Sequence, residues 1–319
     1  MRRLYGATNG ESEEDNTAMM SLGKETGNNA KRKRMMVLGN CVAERLQSML
    51  PAYPGFREAF VMTPAPPIHT MTKPEQWQEL AEAALSCDII FTQPLFNFGP
   101  CNTAEFRKAF GQEAPETGGR LILFSAPNFE AYFPDAIVLK GKENLCFNPV
   151  LDWDSIIIFS CFCSGVSIFD VEDIYCNHPL FCPVEMDQKI TATLELYQQR
   201  EKDLDVSTKN HVIRNYKQTK LFHSPKHPVD SLLVMMLRDM AAYLGLNPDA
   251  PPPPVDGFGF NQWPIITRRH QRFTFPEQDY FILAGKKCSL EDTIMAYYNF
   301  YEFHPHVVEA NRDKIIGLP

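Results

Sequence analysis

No stretch of this sequence is long and apolar enough to cross a bilayer. The longest apolar run, Ile156–Phe169 (IIIFSCFCSGVSIF), falls short of the roughly 18–20 residues that a spanning helix needs. No apolar stretch of signal-peptide length follows Arg2 and Arg3. Positive charge is scarce too: 31 Lys and Arg face 39 Asp and Glu, a formal charge of −8. Nonspecific nucleic-acid binders neutralise phosphates with clustered cations, so no nucleic-acid partner is expected. Cysteine offers no disulfide framework, because nine is an odd number and several lie in apolar runs where thiols pack as small hydrophobes. Internal repeats are missing as well. These absences point to an intracellular, reduced, cytoplasmic protein with no transmembrane segment.

What is present suffices for a sizeable core: 319 residues, 44% hydrophobic and 22% charged. Residues Met1–Arg34 are polar, without periodicity, and read as a disordered leader. They hold seven basic and five acidic residues, which leaves −10 for the remainder. Within the leader, Lys31-Arg32-Lys33-Arg34 is either a nuclear address or a solvated flank.

Order is expected from Met35. Met35-Met36-Val37-Leu38-Gly39-Asn40 is a short apolar run closed by a turn, the pattern of a parallel strand buried on both faces. Helical spacing follows in Val42–Leu50, then a strand at Ala59–Thr63, a helix at Lys73–Ser86 and a strand at Asp88–Gln93. Thr103–Phe110 reads as a helix and Arg120–Phe124 as a fourth strand. This alternation predicts an α/β fold, a parallel-sheet, three-layer N-terminal half. The second half reads as mainly helical, with helices at Glu185–Lys202, Ser207–Tyr216, Val229–Leu244 and Leu290–Tyr301. The expected division is a leader at 1–34, an α/β domain at 35–140 and a helical region at 141–319 packed on it. A Pro-rich loop, 250–264, interrupts the last of these as an extended connector or lid.

Ligands of parallel sheets sit at the carboxyl ends of the strands. Gly39-Asn40-Cys41, Gln93-Pro94 and Pro127-Asn128 occupy those places. Cys41 stands where a helix N-terminus favours thiolate, so it is either a reactive, ligand-facing thiol or a buried one beside a turn glycine. Gln93 either hydrogen-bonds a ligand or caps its own loop. Leu221-Phe222-His223-Ser224-Pro225-Lys226-His227-Pro228 is the densest polar cluster past the leader. Two His four apart would share a helix face and bind metal, but Pro225 and Pro228 argue for a rigid loop instead. A neutral imidazole held there is suited to general-base work near pH 7. Cys161, Cys163, Cys176, His178 and Cys182 lack the spacing of common structural zinc sites, so no metal is expected.

Taken in order, these segments resemble the WcbI family of capsule polysaccharide biosynthesis proteins from Met36 to about Leu246. Leu38-Gly39-Asn40-Cys41 is similar to its strand–turn–helix motif, with Val42 where Gln is common, and Asp88–Pro94 (DIIFTQP) to its second motif. Pro127–Asp135 resembles its proline–aromatic segment, and Gln199-Arg200-Glu201 with Asp205-Val206 its helical Arg-Glu motif. Arg214-Asn215 followed by Leu221–Pro228 is similar to its Phe-His-Thr-x-Asn-His-Pro signature, with Ser224 for Thr and Lys226 for Asn.

The resemblance implies a protein that binds coenzyme A or acetyl-CoA as co-substrate and transfers acetyl to a sugar hydroxyl of a carbohydrate acceptor. In that reading His223 or His227 is the base, and Cys41 carries the acyl group or lines the pocket. Gly39, Asn40 and Gln93 face the developing oxyanion, while Arg200, Arg214 and Lys226 meet the coenzyme phosphates. With the body at −10, those phosphates need a local basic pocket. Two other readings stand beside it. One is an esterase or thioesterase of the Ser-Gly-Asn-His kind, although Gly39-Asn40-Cys41 replaces Gly-Asp-Ser and no Asp-x-x-His precedes His227. The other is a noncatalytic coenzyme A or glycan binder.

Overall fold

Met35-Met36-Val37-Leu38 is apolar at every position because the structure covers both of its faces. The structure, a computed structural model, describes residues 32–110, 120–142, 153–255, 257–259, 261–267 and 271–318. Strand β1 (Lys33–Leu38) lies between β2 (Phe60–Met62) and β3 (Ile89–Thr92), and β4 (Arg120–Leu123) pairs beyond β3, giving the parallel order β2-β1-β3-β4. Met35 and Val37 point into one apolar cluster, Met36 and Leu38 into another. Alternation along a strand is what splits them.

The second cluster is filled by α2 (Pro74–Leu85) through Leu80, Ala81 and Ala84, and by Phe106 of α3 (Thr103–Phe110). The first is filled by α1 (Cys41–Met49) through Val42, Ala43 and Leu46. That makes the predicted three layers.

One boundary of the sequence reading is corrected. Positions 1–31 of the expected leader lie outside the described residues, but Lys33 and Arg34 belong to β1, paired with Phe60 and Val61. The Arg34 N–H donates to the Asp88 carboxylate at 2.6 Å, which anchors a strand start that charge alone had read as a flank.

The longer helices of the second half are α4 (Ile156–Cys163), α5 (Ile168–Asn177), α6 (Pro183–Glu201), α7 (Lys209–Asn215), α8 (Asp230–Tyr243) and α9 (Leu290–Phe303), with short strand pairs between them. The apolar run noted above is two helices, broken where Gly165 takes φ 69°. Side chains of α4, α5, α6 and α9 form the largest cluster, rich in rings such as Phe159, Tyr175, Tyr297 and Tyr301.

Helix α8 does not stay with them. Leu233, Met236, Leu237, Met240 and Ala241 pack with α1 on the sheet. Each buried Leu or Met contributes about 1.5–3 kcal/mol relative to exposure. The sheet's cover therefore comes partly from a helix that begins at Asp230, far downstream of the last strand at Leu123, and residues 33–319 form one unit. After β4 the chain meets Val206 in a parallel bridge at Phe124.

Candidate functional site

The turn after β1 is held by hydrogen bonds that run entirely within the protein. The Asn40 N–H donates to Gln93 Oε1 at 2.8 Å, and Gln93 Nε2 donates to the Ser125 carbonyl at 3.2 Å. Asn40 Oδ1 caps α1 by accepting from the Val42 N–H at 2.9 Å. A Cβ on Gly39 would lie 2.3 Å from Gln93 Oε1 and 2.9 Å from the Ala43 Cβ, so only glycine fits. Gly39, Asn40 and Gln93 thus come together as expected, but the Gln93 amide is a cap for the loop. Its two ends, and the Asn40 N–H, are already engaged and do not present donors to an oxyanion.

The His223–His227 segment is a tight antiparallel hairpin, not a loop. Strand β5 (Phe222–Ser224) pairs with β6 (His227–Pro228), Pro225 and Lys226 forming the turn. Proline is tolerated at a turn and at a strand edge, which the reading of both prolines as breakers overlooked. The Phe129 N–H donates to the Pro225 carbonyl at 2.9 Å, drawing Asn128 to the hairpin.

His223 Nδ1, Ser224 Oγ and Asn128 Oδ1 are all buried with no hydrogen-bond partner among the described residues. Unsatisfied buried polar atoms are costly, and these three lie on adjoining segments, where a bound hydroxyl-bearing ligand would find partners. Burial, the nearby Lys220 ammonium and His227 push the His223 imidazole down to about 4. At neutral pH the ring is therefore uncharged, with a lone pair able to accept a hydrogen bond.

His227 connects this hairpin to the strand-end turn. Its ring stacks on Phe258 at 4.5 Å and 5°, and the Arg45 guanidinium lies 5.9 Å from the Phe258 centroid. Arg45 is four residues beyond Cys41 on α1, hence on the same helix face. Cys41 and Val255 pack against the cluster that contains Phe258. The Pro-rich connector thus wedges an aromatic ring between the two predicted halves of the site.

A buried polar network supports the sheet edge. Glu201 accepts from Ser125 Oγ, from Ser207 Oγ at 2.8 Å and from the backbone N–H groups of Thr208 and Lys209 at 2.7 and 3.0 Å. Tyr197 and Ser125 share the Thr208 hydroxyl. Asp205 accepts from the Leu123 N–H at 2.8 Å. The Glu and Asp of the Arg-Glu motif therefore build the site's frame.

The basic candidates separate. Arg200 lines a cavity of about 760 Å³ together with Pro94, Phe96, Thr103, Arg107, Lys108 and Asp203. Arg214 is exposed on α7, and Lys226 lies 5.3 Å from the Trp153 centroid; neither lines that cavity. Arg107 and Arg200 have no carboxylate partner among the described residues, whereas Lys108 pairs with Glu105 at 2.7 Å.

Among the described residues no group of three or more His, Cys, Asp or Glu could hold a metal ion. Burial pushes the Cys161 thiol up to about 11 and raises Cys163 as well. Both thiols favour packing over reaction.

Phe258, Lys220, Gln262, Arg107 and Lys108 were missed from sequence. Gly257-Phe258-Gly259 did carry a signal, an aromatic between two glycines in a proline-rich loop. Lys220 immediately precedes the hairpin but reads as an ordinary surface cation.

The model of the polysaccharide biosynthesis enzyme WcbI family matches residues 34–249. A solved structure of WcbI, a novel polysaccharide biosynthesis enzyme, aligns with a TM-score of 0.70 at 18% identity. The match covers 89% of this chain and 95% of that one, which is described as native protein without a disulfide bond between coenzyme A and a cysteine. That likeness is one of fold. No curated protein matches the chain.

Proposed function

The chain belongs to the WcbI family of polysaccharide biosynthesis enzymes, and from that premise we propose that it moves an acetyl group from acetyl-CoA to a sugar hydroxyl. The observation that carries this reading is His223: a buried, uncharged imidazole whose Nδ1 has no protein partner, flanked by the equally unpartnered Ser224 Oγ and Asn128 Oδ1. An acceptor hydroxyl bound there would donate to Nδ1 and accept from the Ser224 hydroxyl, and a neighbouring sugar hydroxyl would donate to Asn128 Oδ1. As its oxygen attacks the thioester carbonyl, His223 takes the proton, and the imidazolium then returns it to the departing coenzyme thiolate.

Phe258 and His227 form one wall of the site, and Asn40 Nδ2 is left to meet the acyl oxygen. Coenzyme association with the fold relative is the basis for expecting coenzyme A here. Arg107 and Arg200, without carboxylate partners in the 760 Å³ cavity, suit its phosphates. Cys41 lines the thioester end or carries the acetyl group in transit; a helix N-terminus favours the thiolate for either role. Among the described residues no helix is long and apolar enough to cross a membrane. None of the described cysteines is in a disulfide, and we place the reaction in the reduced cytoplasm.

Titration of the purified protein with coenzyme A is the first test. Binding below millimolar concentration supports the reading, and none at millimolar overturns it. Intact mass after incubation with acetyl-CoA decides the role of Cys41. An acetyl adduct lost in Cys41→Ala makes it the carrier, and one that survives excludes it. The esterase alternative predicts hydrolysis of acetyl-CoA without any acceptor. A noncatalytic binder predicts binding that survives with no turnover on any acceptor.

A further inference from the structure

The loop 93–102 runs from β3 to α3 and is closed at its base by a reciprocal pair of hydrogen bonds. The Leu95 N–H donates to Thr103 Oγ1 at 2.8 Å, and the Thr103 N–H donates back to the Leu95 carbonyl at 3.1 Å. Further along, Asn102 Nδ2 donates to the Gly99 carbonyl at 2.7 Å, while Asn102 Oδ1 accepts from the Glu105 N–H at 2.9 Å. Leu95, Phe98 and Cys101 pack into the same apolar cluster as Leu80 and Phe106, and the Phe98 ring meets Trp77 edge-on at 6.1 Å. The loop is thus held down from several sides. Phe96 does the reverse, with 70% of the residue exposed. Asn97 beside it takes φ 64°, in the left-handed region that Asn tolerates better than most residues.

A single exposed apolar ring is ordinary on a protein surface. Its company sets Phe96 apart. The ring lines the 760 Å³ cavity with Arg107 and Arg200, the two guanidiniums that have no carboxylate partner among the described residues. Arg107 lies four residues beyond Thr103, so both reach the cavity from one face of α3, and Arg200 comes from the last turn of α6. The wall also carries Asp203, whose carboxylate lies 3.8 Å from the Lys202 ammonium. An exposed ring on an anchored loop offers a stacking face, and the two guanidiniums offer forked donors to phosphate oxygens. Together they match a phosphorylated planar heterocycle.

Within coenzyme A only the nucleotide has that chemistry, because the pantetheine arm carries no planar ring. We propose that Phe96 is the stacking platform for the adenine of coenzyme A, with Arg107 and Arg200 on phosphates of the same nucleotide. The assignment rests on the coenzyme reading above and gives the cavity a defined part of the ligand. β3 pairs with β1, at whose end Cys41 opens α1, so the thioester arm runs across the strand ends toward Cys41. Donor choice follows. An acyl group on a carrier protein hangs from phosphopantetheine with no base attached, which leaves Phe96 uncovered. The donor selected is the free coenzyme thioester.

The test is titration calorimetry of the full chain with coenzyme A, adenosine 3′,5′-bisphosphate and 4′-phosphopantetheine. The native chain is expected to bind the bisphosphate in competition with coenzyme A, and to bind 4′-phosphopantetheine roughly tenfold or more weakly than coenzyme A. Phe96→Ala should weaken coenzyme A and the bisphosphate by about tenfold, the scale of one base–aromatic stack, and leave 4′-phosphopantetheine within about twofold. Phe96→Trp should keep the native affinities, whereas Phe96→Leu should behave as Phe96→Ala, because it restores apolar contact without a π-face. Phe96 belongs to none of the three apolar clusters, so these variants leave the core intact.

Coenzyme A that binds the native chain, Phe96→Leu and Phe96→Ala equally overturns the platform and leaves the coenzyme reading standing. So does a bisphosphate that fails to bind at millimolar concentration where coenzyme A binds, or 4′-phosphopantetheine that binds as tightly as coenzyme A. If neither coenzyme A nor the bisphosphate binds, the coenzyme reading itself fails and takes the platform with it.

Discussion

The strand-end turn and the hairpin occupy the same part of the fold but treat their polar atoms in opposite ways. At the turn, Asn40 and Gln93 direct backbone and side-chain donors at one another, at Ser125 and at the α1 N-terminus. At the hairpin, His223 Nδ1, Ser224 Oγ and Asn128 Oδ1 are buried with nothing to bond. The turn is a frame, because satisfied polar groups cost nothing to bury and hold their neighbours in place. An unsatisfied group costs stability, and three on adjoining segments are the atoms a bound ligand would satisfy. Residues that look equally functional in sequence therefore divide by where their hydrogen bonds go.

The largest break in that comparison is expected from His223→Ala. Turnover should fall by about 10²–10⁴, the usual contribution of a general base, with coenzyme A affinity within about twofold. Equal loss of binding and turnover would assign the residue to the frame. The same variant has a pH signature. The folded pKa of about 4 lies below the ordinary value of 6.5, so the unfolded chain binds the proton more tightly. This contribution to stability is complete above pH 6.5 and disappears as pH falls from 6.5 towards 4. Denaturation midpoints over that window should fall more steeply for the native chain than for His223→Ala; parallel slopes would remove the claim.

On the frame, Glu201→Gln should cost stability with no matching specific loss of chemistry. One carboxylate receives Ser125, Ser207, Thr208 and Lys209. Exchanging an oxygen for a donor breaks at least one charge-assisted bond, about 2–3 kcal/mol. Gly39→Ala is expected to cost about 2 kcal/mol, since the new Cβ meets a Gln93 side chain fixed at both ends. Urea denaturation reads both. A Gly39→Ala chain as stable as the native one would mean that Gln93 moves freely, contrary to its two bonds.

Much of the frame was legible and little of the hairpin's working was. Met35–Leu38 reads as a doubly covered strand from composition alone, and the spacing of Leu233, Met236, Leu237 and Met240 identifies α8. What that spacing cannot say is which surface the helix covers, so its place on the sheet emerged only in three dimensions. His223 and His227 stood out because they lie in a dense polar segment, yet their environment is made elsewhere. Phe258 and Lys220 reach the two imidazoles only through tertiary packing, Phe258 by stacking on His227 and Lys220 by its charge near His223. A lysine is ordinarily a surface residue, and nothing in its neighbours announces an inward turn. Arg200, Arg214 and Lys226 carry the same charge in sequence, and only the cavity distinguishes Arg200 from the other two.

The smallest expected effect tests that distinction. Arg200→Ala should weaken coenzyme A binding by about tenfold, near 1.4 kcal/mol, because one charge-assisted contact to a phosphate is lost in a partly solvated cavity. Arg107→Ala should do the same, and Arg214→Ala should do nothing. The native affinity should fall as salt is raised and fall less steeply in Arg200→Ala, since each neutralised phosphate contributes its share of screening. Removing the 3′-phosphate from the ligand gives the decisive comparison. If Arg200 meets that group, dephospho-coenzyme A binds the native chain and Arg200→Ala equally. If the two losses instead multiply, the guanidinium faces another part of the ligand, and the cavity holds the diphosphate.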